Sequence, residues 1–327
     1  MKRRTFVAAG FAGLTLVSGT RGQAQQRTFH IGYLGGGGRT PDGGPPGALR
    51  EGLRQLGYVE GKNIIYEARF AEGRPERLPE FAAELVRLKV DVILAQGSPA
   101  QFAAKEATST IPIVTAPAAG DLVGTGMIAS LARPGGNMTG LSDDSVPLSA
   151  KRMELLKEAV PKASAIAVLW NADDRGMTLR SQELEKAARI LKVEVRAFGV
   201  RNKEDLAAAL SELGRRRPDA VFVVADALMF INRKLIIEFQ TNERIPAMYE
   251  VANYVNEGGL MSYGPDPAEM FRKAADYVDR ILKGSKPADL PAELPTRYYL
   301  TLNQKAAEAM GLHFPPVLML RADHVVK

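Results

Sequence analysis

Cysteine is absent from the 327 residues. That excludes disulfide bonds, a thiolate nucleophile and a lipid-modified cysteine anchor. Histidine is nearly as scarce. His30, His313 and His324 are scattered, and none stands at metal-ligand spacing from an acid or another histidine, so no metal site is expected. No G-x-x-x-x-G-K-[ST] loop exists to cradle a nucleotide phosphate. Gly35–Gly38 follows a strand-like run but fails the G-x-G-x-x-G test, because the third required position is Thr40 or Pro41. Nor is there a G-x-S-x-G nucleophile elbow, since Gly97-Ser98 is followed by Pro99 and Ala100. No cofactor is expected and no catalytic residue can be named. No apolar run reaches the roughly 20 residues of a membrane span.

Charge of one sign is also in short supply once the N-terminus is set aside. Lysine and arginine number 43 against 37 acids, a net of +6. Lys2, Arg3, Arg4 and Arg21 fall in residues 1–24, which hold no acid; taking those 4 from 43 leaves 39 against 37, a net of +2. So small an excess argues against a nucleic-acid partner. Lys2-Arg3-Arg4, the short apolar stretch from Phe6 to Val17 and the small-x-small site Gly22-Gln23-Ala24 together read as a cleaved export signal over residues 1–24. Arg3-Arg4-Thr5-Phe6 resembles a twin-arginine signal, with an ordinary Sec signal as the alternative. The expectation is an exported, periplasmic protein, soluble after cleavage and not inserted in a membrane.

What is present is a strand–helix rhythm in a chain rich enough in apolar residues (46%) to bury two cores. Thr28–Leu34 reads as a strand and Gly47–Leu56 as a helix stopped by Gly57. Asn63–Phe70 is a strand, and Arg77–Leu88 a helix with Leu78, Phe81, Leu85 and Leu88 on one stripe. Asp91–Ala95 is an unbroken apolar run, as in a strand covered on both faces. After a glycine-rich passage from Met138 to Asp144 the rhythm restarts, through Ala165–Trp170, Val193–Phe198 and Ala220–Ala225, with helices between them and a single helix expected over Ile231–Asn242. Alternation of this kind predicts an α/β fold with two lobes, each a mainly parallel sheet flanked by helices. The expected lobes are 28–144 plus 266–290, and 145–265 plus 291–327, with hinge crossovers between them.

Ligands of open α/β sheets sit beyond the carboxyl ends of strands. Those ends supply Gly35 and Gly36, then Gly97 and Ser98, then Ala118 and Asp121, then Trp170 and Asn171, and finally Asp226, Tyr249 and Tyr263. Glycines let a solute approach the backbone. The helix opened by Ser98 and Pro99 offers free N–H groups to a carboxylate. Each assignment has a plainer counterpart: Ser98 and Asp226 as helix caps, and Trp170, Tyr249 and Tyr263 as core rings.

Several stretches resemble the ABC transporter substrate-binding protein family whose best-known members take tryptophan and tyrosine. They include Leu53-Arg54-Gln55-Leu56-Gly57-Tyr58-Val59-Glu60-Gly61, Ala107–Val114, Gly120–Gly126, Leu131–Leu141, Lys151–Pro161, Val168–Asn171, Glu257–Pro265 and Tyr277–Leu290. The resemblance implies a type I periplasmic binding fold, a small solute such as an amino acid or aromatic acid held between closing lobes, and an ABC permease as partner. This chain departs from the family's frequent Gly-Asp-Pro, Trp-Asn-Pro and Asp-Pro at Leu122, Ala172 and Ala227. Two other functions fit the same scaffold: an exported hydrolase or lyase, and a solute-sensing module for a receptor.

Overall fold

The computed structural model describes residues 27–117, 120–142 and 145–327. The signal expected over 1–24 lies outside them, as does Ala118. In chain order the first elements are β1 (Phe29–Gly35), α1 (Gly47–Gln55), β2 (Ile64–Phe70), α2 (Leu78–Arg87), β3 (Val92–Gln96), α3 (Ser98–Ala107), β4 (Ile113–Thr115) and β5 (Met138–Gly140). Then come α4 (Ser145–Ala159), β6 (Ala165–Asn171), α5 (Arg175–Ile190), β7 (Glu194–Val200), α6 (Lys203–Arg216), β8 (Ala220–Val223), α7 (Ala227–Ile231), α8 (Arg233–Glu243), β9 (Ala247–Tyr249), α9 (Ala252–Asn256) and β10 (Met261–Gly264). The chain ends with α10 (Pro267–Leu282), β11 (Tyr299–Asn303), α11 (Gln304–Ala309), α12 (Pro316–Arg321) and β12 (His324–Val326).

Two sheets organise the molecule. One has the order β2-β1-β3-β4-β5, the other β12-β11-β10-β9-β8-β6-β7. The first is parallel throughout, and in the second β11 runs antiparallel to β10. This is the two-lobed α/β architecture the alternation of strands and helices predicts, each lobe a mainly parallel sheet flanked by helices. Strand alternation sends side chains to opposite faces. In the first sheet Ile31, Tyr33, Val92 and Leu94 face α1 and α10, whereas Leu34, Ile93 and Ala95 face α2 and α3. In the second, Ile166, Val168 and Phe222 face α4 and α5, and Ala167, Leu169 and Val221 face α6 and α8. Helix α10 packs on α1 through Met270, Phe271, Ala274, Ala275 and Val278, a stripe of helical period.

The chain passes from one sheet to the other between β5 and α4, between β10 and α10, and at residues 293–298 before β11. The first and third passages are bonded to each other: the Glu293 amide donates to Gly140 O and the Ser142 amide to Glu293 O, both at 2.9 Å. Tyr277 of α10 clamps the third, its hydroxyl donating to Pro291 O at 2.6 Å and bonded to Glu293 Oε1 at 2.8 Å.

Local differences from the sequence expectation have local causes. The helix expected over Ile231–Asn242 is α8, which starts at Arg233 because the chain breaks at Asn232 between it and the short α7, where the Asn232 amide group donates back to Leu228 O. Ser98 is the first residue of α3 and not its cap. Gly97 occupies the cap position, and no side chain caps that end.

Candidate functional site

The carboxyl ends of both sheets enclose a cavity of about 340 Å³. Gly36 follows β1, Gln96 ends β3 and Gly97 follows it, Pro117 follows β4, Ala225 and Asp226 follow β8, and Glu250 follows β9. Its ceiling in the first lobe is aromatic. Tyr33 and Phe70 pack with ring centres 5.3 Å apart, and Phe271 and Met270 come from the first turn of α10. The Tyr33 hydroxyl donates to Gln96 Oε1, and burial pushes its pKa well above the usual tyrosine range.

The floor in the second lobe is ionic. Arg152 of α4 and Arg180 of α5 are 1% and 2% exposed, and both grip Glu250, itself 2% exposed. Arg152 Nη1 donates to Oε1 at 2.8 Å and Arg180 Nη1 to Oε2 at 2.7 Å, while the Ala225 amide adds a third bond at 3.1 Å. Arg152 Nε donates to Tyr263 O at 2.6 Å. Gly264 makes this arrangement possible, because a Cβ there would lie 1.9 Å from Glu250 O. Burial of three charges is tolerable only because they pair so closely.

Asp226 stands on the same wall. Its Oδ1 accepts the Met229 amide at 2.8 Å, capping α7, and its Oδ2 accepts Asn171 Nδ2 at 2.6 Å. Burial raises its pKa to about 6 against these bonds, with the neighbouring Asp174 adding to the rise. A smaller annex of about 40 Å³ adjoins, reached by Gly97, Asn171, Asp174 and Asp226.

The lobes touch at the rim. A Cβ on Gly36 would sit 3.2 Å from the Ala227 Cβ, and one on Gly73 3.1 Å from Ile231. Ser98 of α3 reaches across to Asp174, the cap of α5, which also accepts the Gly176 amide at 2.8 Å. Burial raises the Asp174 pKa, opposed by Arg180 and these donors.

Of the residues proposed from strand ends, Gly36, Gly97 and Asp226 line the main cavity and Asn171 the annex. Gly35, Ser98, Asp121, Trp170, Tyr249 and Tyr263 line neither. Gly35 lies one residue short of the rim, under the Tyr33 ring. Asp121 folds back onto the amides of Val123 and Gly124. Trp170 shares the face of Ile166 and Val168, so alternation turns it away from Asn171 and onto Gly199 of β7. Tyr249 points into the core, stacked on Tyr254 at 4.5 Å with its hydroxyl on Gln240. Tyr263 offers its carbonyl to Arg152 while its ring packs on the second-lobe core.

Arg152, Arg180, Phe70, Met270, Phe271 and Glu250 were not anticipated from the sequence. A signal existed for the arginines. Arg152 shares a stripe with Leu155, Leu156 and Ala159, and Arg180 with Met177, Leu184 and Ala187. An arginine on the apolar face of a helix needs a buried partner.

The sequence model of ABC transporter substrate-binding proteins matches residues 46–326. A tyrosine-binding protein of Clostridioides difficile is 28% identical over 274 residues, covering 84% of this chain and 76% of that one. Among solved structures, the ABC domain in complex with L-Trp from Streptococcus pneumonia superposes with a TM-score of 0.84 at 22% identity, over 91% of this chain and all (100%) of that one. A conserved domain protein of Vibrio cholerae gives 0.82 at 26% identity, over 92% and 99%.

Proposed function

The chain belongs to the ABC transporter substrate-binding protein family, and from that premise we propose that it is the periplasmic member of an uptake system. In this reading it takes a small organic solute, an amino acid or an aromatic acid, into the cavity between its lobes. Hinge bending at the three passages opens and shuts the rim, and the shut form is the one presented to the permease. The observation that carries the reading is the cavity itself: it lies between the two lobes at their strand ends, with the rim contacts Gly36–Ala227 and Ser98–Asp174 made around it. The aromatic ceiling supports a ring-bearing solute. Its relatives' tyrosine and tryptophan support the same class. The basic N-terminus with its short apolar stretch supports export.

A thermal-shift screen of protein stripped of bound solute, across amino acids, aromatic acids, sugars and polyols, tests the proposal. A ligand held at about 100 times its Kd adds about 2.7 kcal/mol to folding, so a true solute gives a clear rise in Tm. A screen in which no compound of any class stabilises the stripped protein overturns it.

A further inference from the structure

Asp226 lines both the main cavity and the annex. Its surroundings give it hydrogen bonds but no counter-ion. Oδ1 accepts the Met229 amide and Oδ2 the Asn171 side chain. The arginines nearby are engaged elsewhere. Arg152 and Arg180 hold Glu250, Arg180 also faces Asp174, and Arg201 on the annex wall pairs with Asp173 at 3.2 Å. The groups facing Asp226 are themselves acidic: Asp174 at the head of α5 and the un-ionised Tyr254 phenol of α9.

The first lobe supplies the cover. It closes the annex with glycines, prolines, Leu78 and the amide of Gln96, none of them ionisable. The charges nearest in that wall, Arg74 and Arg77, pair with Glu72, and Glu76 is exposed. Shutting the rim, where Gly36 meets Ala227, therefore takes water from Asp226 and brings no positive charge in exchange. Parting the lobes gives that water back. The neutral carboxyl is favoured in the shut form and the carboxylate in the open one.

We propose that closure over solute takes up one proton, on Asp226, so that solute is held tightly at mildly acid pH and released as the pH rises towards neutrality. The inference rests on the proposed role of this cavity as the solute site and adds a proton to what it binds. The sign follows from the two states. In the shut form burial holds the Asp226 carboxyl up at about 6. In the open form it returns towards the ordinary aspartate value near 3.9. Below about pH 4 both forms hold the proton and affinity is flat. From there to about pH 6 closure draws a proton from solution, and affinity falls about tenfold between pH 5 and pH 7. Above about pH 7 both forms are charged, and affinity is flat again at its lower value. No histidine lines the cavity or the annex, and His30 stands at the far end of β1 from the rim.

The test is calorimetry on the full chain stripped of solute, at pH 5, 6 and 7. Each titration is run in two buffers of different ionisation heat, which counts the protons bound with solute. The probe is L-tryptophan or, where tryptophan gives no thermal shift, the compound with the largest shift in the screen run at both pH 5 and pH 7. Any proton the probe itself binds cancels in the difference between the parent and Asp226→Asn. The parent is expected to take up most of a proton at pH 5, about half of one at pH 6 and almost none at pH 7, with affinity about tenfold weaker at pH 7 than at pH 5. Asp226→Asn, with folding verified by circular dichroism, should take up none and bind equally at the three values. The inference falls if the parent binds at pH 5 without taking up a proton, an outcome that needs no variant, or if the uptake persists in Asp226→Asn. In both cases the probe has bound and the reading of the cavity survives. If no compound binds at either pH, that reading falls and the inference with it.

Discussion

Asp226 carries the cost of its position in a measurable form. Burial, together with Asp174, holds its carboxyl near 6 against the Asn171 side chain and the Met229 and Leu228 amides; an unfolded aspartate titrates near 3.9. The folded state therefore holds this proton more tightly than the unfolded one. Its contribution to stability is complete below about pH 4, declines from there to about pH 6, and is gone above. Asp226→Asn keeps a competent helix cap and removes the charge. The variant should gain on the parent as pH rises from about 4 to about 7, by up to about 3 kcal/mol at 1.36 kcal/mol per unit, and hold that difference at higher pH. Urea unfolding across this range measures it, and a difference that stays constant with pH contradicts the account. Glu250 is the opposite case. Replacing it by Gln leaves Arg152 and Arg180 buried against a neutral amide, so Glu250→Gln should cost about 3–5 kcal/mol. A loss below about 1 kcal/mol in the same experiment, the range of an exposed ion pair, would mean that water reaches the triad.

Two helix N-termini, those of α3 and α5, approach each other across the lobe boundary with the Asp174 carboxylate between them. Negative charge there suits both dipoles. The approach depends on Gly176, where a Cβ would stand 2.7 Å from Ser98 Oγ. Gly176→Ala should leave the solute-free protein within about 1 kcal/mol of the parent, since the lobes can part, but weaken solute binding about tenfold by taxing the shut form. Adding Ser98→Gly should recover most of that loss as a positive coupling. Equal affinity in parent and Gly176→Ala would show that this contact plays no part in closure. The same elements mark what a linear reading can reach. Strands β3 and β8 stand out because parallel strands covered on both faces are continuous apolar runs, and the rule that ligands gather at strand ends leads to Gly36, Gly97 and Asp226. Trp170 and Tyr249 are misplaced by that rule because it names the end of a strand and not the face, and a single step in the pleat reverses the side chain. The helical stripes that hold Arg152 and Arg180 mark both as buried but not what they meet, because Glu250 is 98 and 70 residues away from them and no local periodicity reports a contact of that range.

For the molecule as a whole, the absence of cysteine becomes an experimental opportunity. Gly36 follows the first strand of one lobe and Ala227 opens α7 of the other, and the Cβ-to-Cβ gap that Gly36→Cys and Ala227→Cys would span is 3.2 Å. Disulfides favour about 3.8 Å, so a small opening of the rim accommodates the bond, and with no other thiol in the chain it has no competitor. Oxidised without solute, the double variant should be shut and should fail to take up a stabilising compound from the thermal screen; reduced, it should bind. Oxidised after loading, it should retain the compound through dialysis. Together these outcomes would establish that the rim seen here is the only gate, because both residues line the cavity mouth and the bond leaves the hinge passages untouched. Free exchange of solute in the oxidised protein, with the disulfide verified by mass, would require another way in. It would also separate closure of the lobes from access to the cavity.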